Sequence, residues 1–172
     1  MSKIYVFVEG VDDNRFFEKI VKPRLEKLYT EVKIQEYRQK SDAKIMDFLR
    51  SIEKMGDDYI FVVDIDGFPC ITVRKQNKLD TIKGLKERNI YVVKHEIESW
   101  YLAGLDSGSC RKFRIEYRAE TSTLTKNYFD QLRYIKQNTH TLSMIEMLEV
   151  FDINVARKQN ASFDYFCKKM CI

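Results

Sequence analysis

The sequence has little with which to hold a soft metal or tie itself together covalently. Its 172 residues include two histidines and four cysteines. No two of the cysteines, Cys70, Cys110, Cys167 and Cys171, stand in a C-x-x-C pair. Neither a zinc site nor a disulfide framework is expected, and the thiols are expected to be free. No apolar run nears the roughly 20 residues that cross a bilayer. The first residues also lack the basic-then-apolar pattern of a secretion signal, so a cytoplasmic protein with no membrane contact is the expectation. Neither a G-x-G-x-x-G nor a G-x-x-x-x-G-K-[ST] loop follows a candidate buried strand, which argues against a nucleotide-binding α/β domain. Charge of one sign is not in excess either. The 30 basic and 26 acidic residues leave +4, too balanced to mark a nucleic-acid binder alone. Internal repeats and low-complexity tracts are absent.

What is present starts with Ile4 to Phe17, IYVFVEGVDDNRFF. Ile4 to Val8 is a β-branched and aromatic run suited to a strand buried on both faces. Glu9 ends it, Gly10 permits a sharp exit, and Asp12 and Asp13 suit the first turn of a helix that carries Phe16, Phe17 and Ile20. That helix should fade near Leu28 or Tyr29. Glu31 to Tyr37 alternates as a strand nearer the sheet edge. Ser41 is the expected N-cap of a helix over Ala43 to Met55, which Gly56 ends. Tyr59 to Val63 is a second buried strand, and it too runs into acid, Asp64-Ile65-Asp66-Gly67. A basic helix is expected over Thr72 to Arg88 and a fourth strand over Ile90 to Val93.

Strands alternating with helices imply βαβ units and a parallel sheet. From Lys94 the pattern becomes helical: a short helix carrying Trp100, a polar turn over Asp106 to Ser109, then helices over Tyr128 to Gln137, Leu142 to Phe151 and Ser162 to Met170. With 44% apolar residues the chain can fill a core. The expected organisation is a four-stranded parallel α/β core over residues 1–105, with a helical C-terminal extension, 106–172, packed on it.

Parallel strands joined by right-handed crossovers bring their carboxyl ends to one edge. Glu9, Asp64 and Asp66 should share that edge. If the first and third strands are neighbours, with the second on the far side of the first, a crevice opens between them. Carboxylates gathered there repel unless a cation or proton intervenes, and magnesium prefers such oxygen ligands. In extended backbone Asp64 and Asp66 would project from one face and address one metal. The cations Arg74, Lys75, Lys78, Lys83, Lys86 and Arg88 cluster in one segment and Arg111, Lys112, Arg114 and Arg118 in another, readable as backbone guides for a nucleic acid or as solvated helix faces.

Val8-Glu9-Gly10 with Asp12-Asp13 and Phe16-Phe17, then Val63-Asp64-Ile65-Asp66-Gly67 after one βα unit, resembles the TOPRIM domain. That domain is shared by type IA and type II topoisomerases, bacterial primases, the OLD (overcoming lysogenization defect) nucleases and small ribosomal-RNA maturation nucleases. The resemblance covers roughly residues 3–103. It implies a four-stranded parallel core, a glutamate in acid–base chemistry and a D-x-D pair that holds Mg2+, with Mn2+ as a substitute. Residue by residue, Glu9 takes the glutamate role and Asp64 and Asp66 the metal role. Asp13 matches the second acid of the OLD-type first motif, although glutamate is frequent there.

Glu96 to Leu102 and Ala161-Ser162-Phe163 are similar to small stand-alone bacterial TOPRIM-like proteins, some linked to phage defence. On that reading Glu98, and with it Glu96, borders the metal crevice; the alternative is that both cap the helix bearing Trp100. Gly10 and Lys94 are the expected substrate contacts. The resemblance thus implies a magnesium-dependent nuclease acting on DNA or RNA. The alternative is a non-catalytic or partner-activated module that binds an ATPase, with homo-oligomerisation left open. A topoisomerase needs a tyrosine domain and a gate, and a primase needs a zinc or helicase-binding module, for which the chain offers little room. His95, His140 and the ten tyrosines receive no catalytic assignment.

Overall fold

The computed structural model describes residues 2–172, which divide into two compact units, one running to Val92 and one from Val93 to Ile172. The first is built on a four-stranded parallel sheet in the order β2-β1-β3-β4: β1 Lys3–Val8, β2 Glu31–Glu36, β3 Asp58–Asp64 and β4 Ile90–Val93. In β1 every residue from Ile4 to Val8 is buried. A central strand covered on both faces needs this unbroken apolar run. Its neighbours are in parallel register, Val6 opposite Ile34 of β2 and opposite Ile60 of β3.

On one face of the sheet Tyr5, Phe7, Tyr59, Phe61 and Val63 join Ile45, Leu49 and Ile52 in a single core. Those three side chains recur at helical spacing along α3 (Asp42–Met55). Ser41 caps α3 by accepting from Lys44 N at 3.4 Å, and Gly56, at φ 70°, ends it. Phe61 stacks between Phe7 (5.5 Å) and Tyr37 (4.4 Å), the offset contact aromatic quadrupoles favour.

Two elements of this unit depart from expectation. The first helix is interrupted: α1 (Val11–Phe16) passes through a π-helical stretch, Phe17–Val21, into α2 (Lys22–Leu25). Pro23 has no N–H to return to the carbonyl four residues back, and a widened turn accommodates that loss. The basic helix is shorter than expected. α4 covers Ile71–Thr81, and the chain then turns through Gly84, at φ 94°, and a 3-10 turn, Glu87–Asn89, before β4. A left-handed residue cannot continue a helix, and glycine adopts that conformation without a Cβ clash.

The second unit is helical: α5 (Glu98–Ala103), α6 (Ser107–Lys112), α7 (Lys126–Gln131), α8 (Arg133–Gln137), α9 (His140–Glu149), α10 (Ile153–Gln159) and α11 (Ala161–Met170). Two of these lie where no helix is expected. Asp106 starts α6 by accepting from Ser109 N at 2.7 Å, and Asp152 starts α10 by accepting from Asn154 N at 2.7 Å. Leu132, at ψ 132°, breaks the expected Tyr128 to Gln137 helix into α7 and α8. Trp100 is fully buried against Phe163 and Phe166, and its Nε1 donates to Ser162 Oγ at 2.9 Å. All four cysteines are free thiols. Among the described residues no helix is long and apolar enough to cross a membrane.

Candidate active site

The strand order β2-β1-β3 supplies the reversal that opens a crevice beyond the carboxyl ends of β1 and β3. Glu9 follows β1 directly. Its main chain is fixed by continuation of the β1–β2 ladder, with Tyr37 N donating to Val8 O at 3.0 Å and Arg38 N to Glu9 O at 3.2 Å. Asp13 is buried, and its Oδ2 accepts from Gly10 N at 3.2 Å, so this carboxylate braces the turn that presents Glu9. Gly10 itself has φ −148°, and a Cβ there would meet only Asp13 Oδ2, at 4.0 Å. The exit from β1 therefore does not depend on glycine.

Asp64 is the last residue of β3 and is partly buried. Asp66 lies beyond the strand in left-handed backbone, φ 49°, so the extended spacing that would set the two carboxylates on one face does not hold. A third residue binds this turn together. Arg74 of α4 is 5% exposed. Its Nε donates to Asp64 O at 2.6 Å and its Nη2 to Asp66 Oδ2 at 2.5 Å. Among the described residues, no three of Glu9, Asp13, Asp64 and Asp66 offer ligand atoms all within 4.8 Å of one another.

Glu9 and Asp66 line one open cleft of about 300 Å³ together with Asp42. Arg38, Lys40, Arg74 and Lys78 line it as well. Tyr37 forms part of its wall; its hydroxyl donates to Val62 O at 3.1 Å. Burial raises the Tyr37 pKa well above its ordinary value, and the Glu9, Asp13 and Asp64 carboxylates push it further. Three acids thus converge electrostatically on one phenol. Lys78 lies 5.3 Å from the same ring. Burial lowers its pKa and Arg74 lowers it further, while Glu9, Asp42 and Asp66 act in the opposite sense.

Sequence reading missed Tyr37, Arg38, Lys40 and Asp42 as cleft residues. The signal was available: they lie just after β2, and parallel strands deliver the residues beyond their carboxyl ends to the same edge as Glu9.

The remaining expected site residues belong to the second unit. Lys94 is exposed, and its main-chain N donates to Ser162 Oγ at 3.3 Å. Glu98 is buried with a 3.0 Å ion pair to Lys126 Nζ, and Glu96 accepts from Lys126 N at 2.5 Å. Both glutamates therefore secure the start of α7.

Solved structures that match the chain include the C-terminal region of the Xanthomonas campestris pv. campestris OLD protein, phased with iodine. It has a TM-score of 0.45 and 16% identity over 99% of this chain and 94% of that one. The platinum-phased structure of the same region gives 0.44 and 15% over the same shares. The C-terminal region of the Burkholderia pseudomallei OLD protein gives 0.44 and 16%, over 99% of this chain and 96% of that one. The structural neighbours are C-terminal regions of OLD proteins. No protein-family model matches the sequence, and no curated protein matches it.

The cleft carries both signs of charge on one sheet edge: oxygen ligands that would suit a hard cation, and guanidinium and ammonium groups that would suit an anion. Burial and the nearby carboxylates keep the Tyr37 phenol in its neutral form, and its hydroxyl donates to Val62 O.

Proposed function

We propose that the first unit is a divalent-metal-dependent nuclease centre that hydrolyses phosphodiester bonds in DNA or RNA. The observation that carries this reading is the meeting of Glu9 and Asp66 with Arg38, Lys40 and Lys78 in one open cleft at the sheet's topological switch point. A phosphodiester needs both signs: cations for its charged oxygens, carboxylates for proton transfer and metal binding. The TOPRIM-like motifs give Glu9 the acid–base task and Asp64 and Asp66 the metal task.

The donor set fits magnesium or manganese. It is all oxygen, and Glu9, Asp13 and Asp64 all lie near enough to add to the rise that burial gives the Tyr37 pKa. Asp64 and Asp66 would hold the ion. Bound there, it would supply neutralisation of the charge that develops on the phosphoryl oxygens. Glu9 moves a proton at the attacking water or leaving oxygen, and Asp13 keeps the Gly10 turn in place. Arg38, Lys40 and Lys78 bind the phosphate backbone.

The test is digestion of labelled single- and double-stranded DNA and RNA by the full chain with Mg2+, Mn2+ or chelator, beside Glu9→Gln and Asp64→Asn. Cleavage that needs metal and is lost in both variants is expected. A second reading, a module silent until a partner such as an ATPase engages it, is favoured by the Arg74–Asp66 pair, which already occupies one of the acids. Folded protein with no cleavage on any substrate would select it.

A further inference from the structure

The D-x-D turn already contains a cation. Arg74 is almost wholly buried, while the Asp66 side chain it pairs with is 50% exposed. A buried guanidinium is costly unless its donors are matched. Here Nε binds the Asp64 carbonyl, Nη2 binds the Asp66 carboxylate, and Nη1 lies 3.5 Å from Asn77 Oδ1. The guanidinium also stacks over the Phe68 ring, 4.9 Å from its centroid, a further stabilising contact for a cation. One side chain thus fixes the main chain at the end of β3 and the carboxylate two residues later.

We propose that Arg74 is the resident counter-cation of the Asp64–Asp66 turn: it holds Asp66 when no divalent ion is bound, and an incoming ion must take Asp66 from it. This rests on the metal-site reading above. The two positive charges cannot both keep the same carboxylate at full strength, so Arg74 sets the threshold metal concentration. It is a positioning residue, because it acts on the ligand and not on the substrate. The Asp64 carbonyl bond lets Arg74 stay anchored after Asp66 is released, so the exchange needs no unfolding of α4.

Metal binding is measured directly on the full chain, by Mn2+ electron paramagnetic resonance and by calorimetry with Mg2+, for wild type, Arg74→Gln, Arg74→Lys and Asp64→Asn. Arg74→Gln should bind about two- to fivefold more tightly, the range set by a half-exposed ion pair. Arg74→Lys, which keeps the charge, should stay close to wild type. In wild type, the arginine 15Nε signal that disappears in Arg74→Lys should shift saturably as Mg2+ is added, a readout that survives if Arg74→Gln fails to fold.

Wild-type binding that is lost in Asp64→Asn, together with an unmoved Arg74 signal and unchanged or weaker binding in Arg74→Gln, would overturn the Arg74 role and leave the metal site standing. No binding by wild type or by folded Arg74→Gln would overturn both.

Discussion

Tyr37 sits where Glu9, Asp13 and Asp64 act together, and that position gives the candidate site a signature independent of catalysis. Its folded pKa is raised above the ordinary 10.0, so the folded protein keeps the phenol neutral while the unfolded chain can ionise it. The resulting stability is present below the unfolded pKa and is lost as pH rises through the folded one. Chemical denaturation should show stability falling from about pH 10 upward, with a flatter profile in Tyr37→Phe. Equal slopes would mean that the buried position beside these acids does not raise the phenol's pKa. Gly10→Ala separates folding from function at the neighbouring position. Its backbone accepts a Cβ, so stability should hold or rise by about 0.4–1 kcal/mol, while the KM for a nucleic-acid substrate rises if the backbone approaches Gly10 closely. A fall in melting temperature would contradict the open geometry around it.

The strands were legible because burial on both faces leaves an unmistakable apolar run, as in Ile4 to Val8 and Tyr59 to Val63. Glu9 and Asp64 were legible for the same reason, since each is the first charge after such a run. What failed was local backbone that propensity does not reveal. Composition alone did not indicate that the basic helix would stop at Thr81, or that Asp66 would turn left-handed and be taken up by Arg74. Arg74 read as one cation among six on a basic stretch, whereas its burial comes from tertiary packing.

In the second unit α11 starts at Asn160, whose fully buried side chain does more than cap the helix. Its Oδ1 accepts from Phe163 N at 3.1 Å and from Ser162 Oγ at 2.8 Å, and its Nδ2 donates to Thr121 Oγ1 at 3.1 Å. Asn160→Ala should therefore cost more than the roughly 1 kcal/mol typical of a lost cap, measured as the urea midpoint. Asn160→Asp should retain part of that stability by keeping the cap. A loss in Asn160→Ala below about 0.5 kcal/mol, within the range of ordinary surface substitutions, would show that the network adds nothing.

At the scale of the whole chain, a balanced net charge of +4 conceals a local separation. Four cations and three acids line one cleft of the first unit, so recognition of a polyanion would be local and would not draw on an overall basic surface. Glu9 and the acids near it are proposed to perform metal-dependent phosphodiester hydrolysis. The most direct measurement is the initial rate of cleavage of a labelled DNA or RNA by wild type and Glu9→Gln, with Mg2+ and with chelator, on proteins matched for folding by circular dichroism. Cleavage is expected only with metal, with a fall of about 100-fold or more in Glu9→Gln, the lower end for loss of an acid–base group. Cleavage at equal rates by the two proteins, or undiminished in chelator, would contradict it.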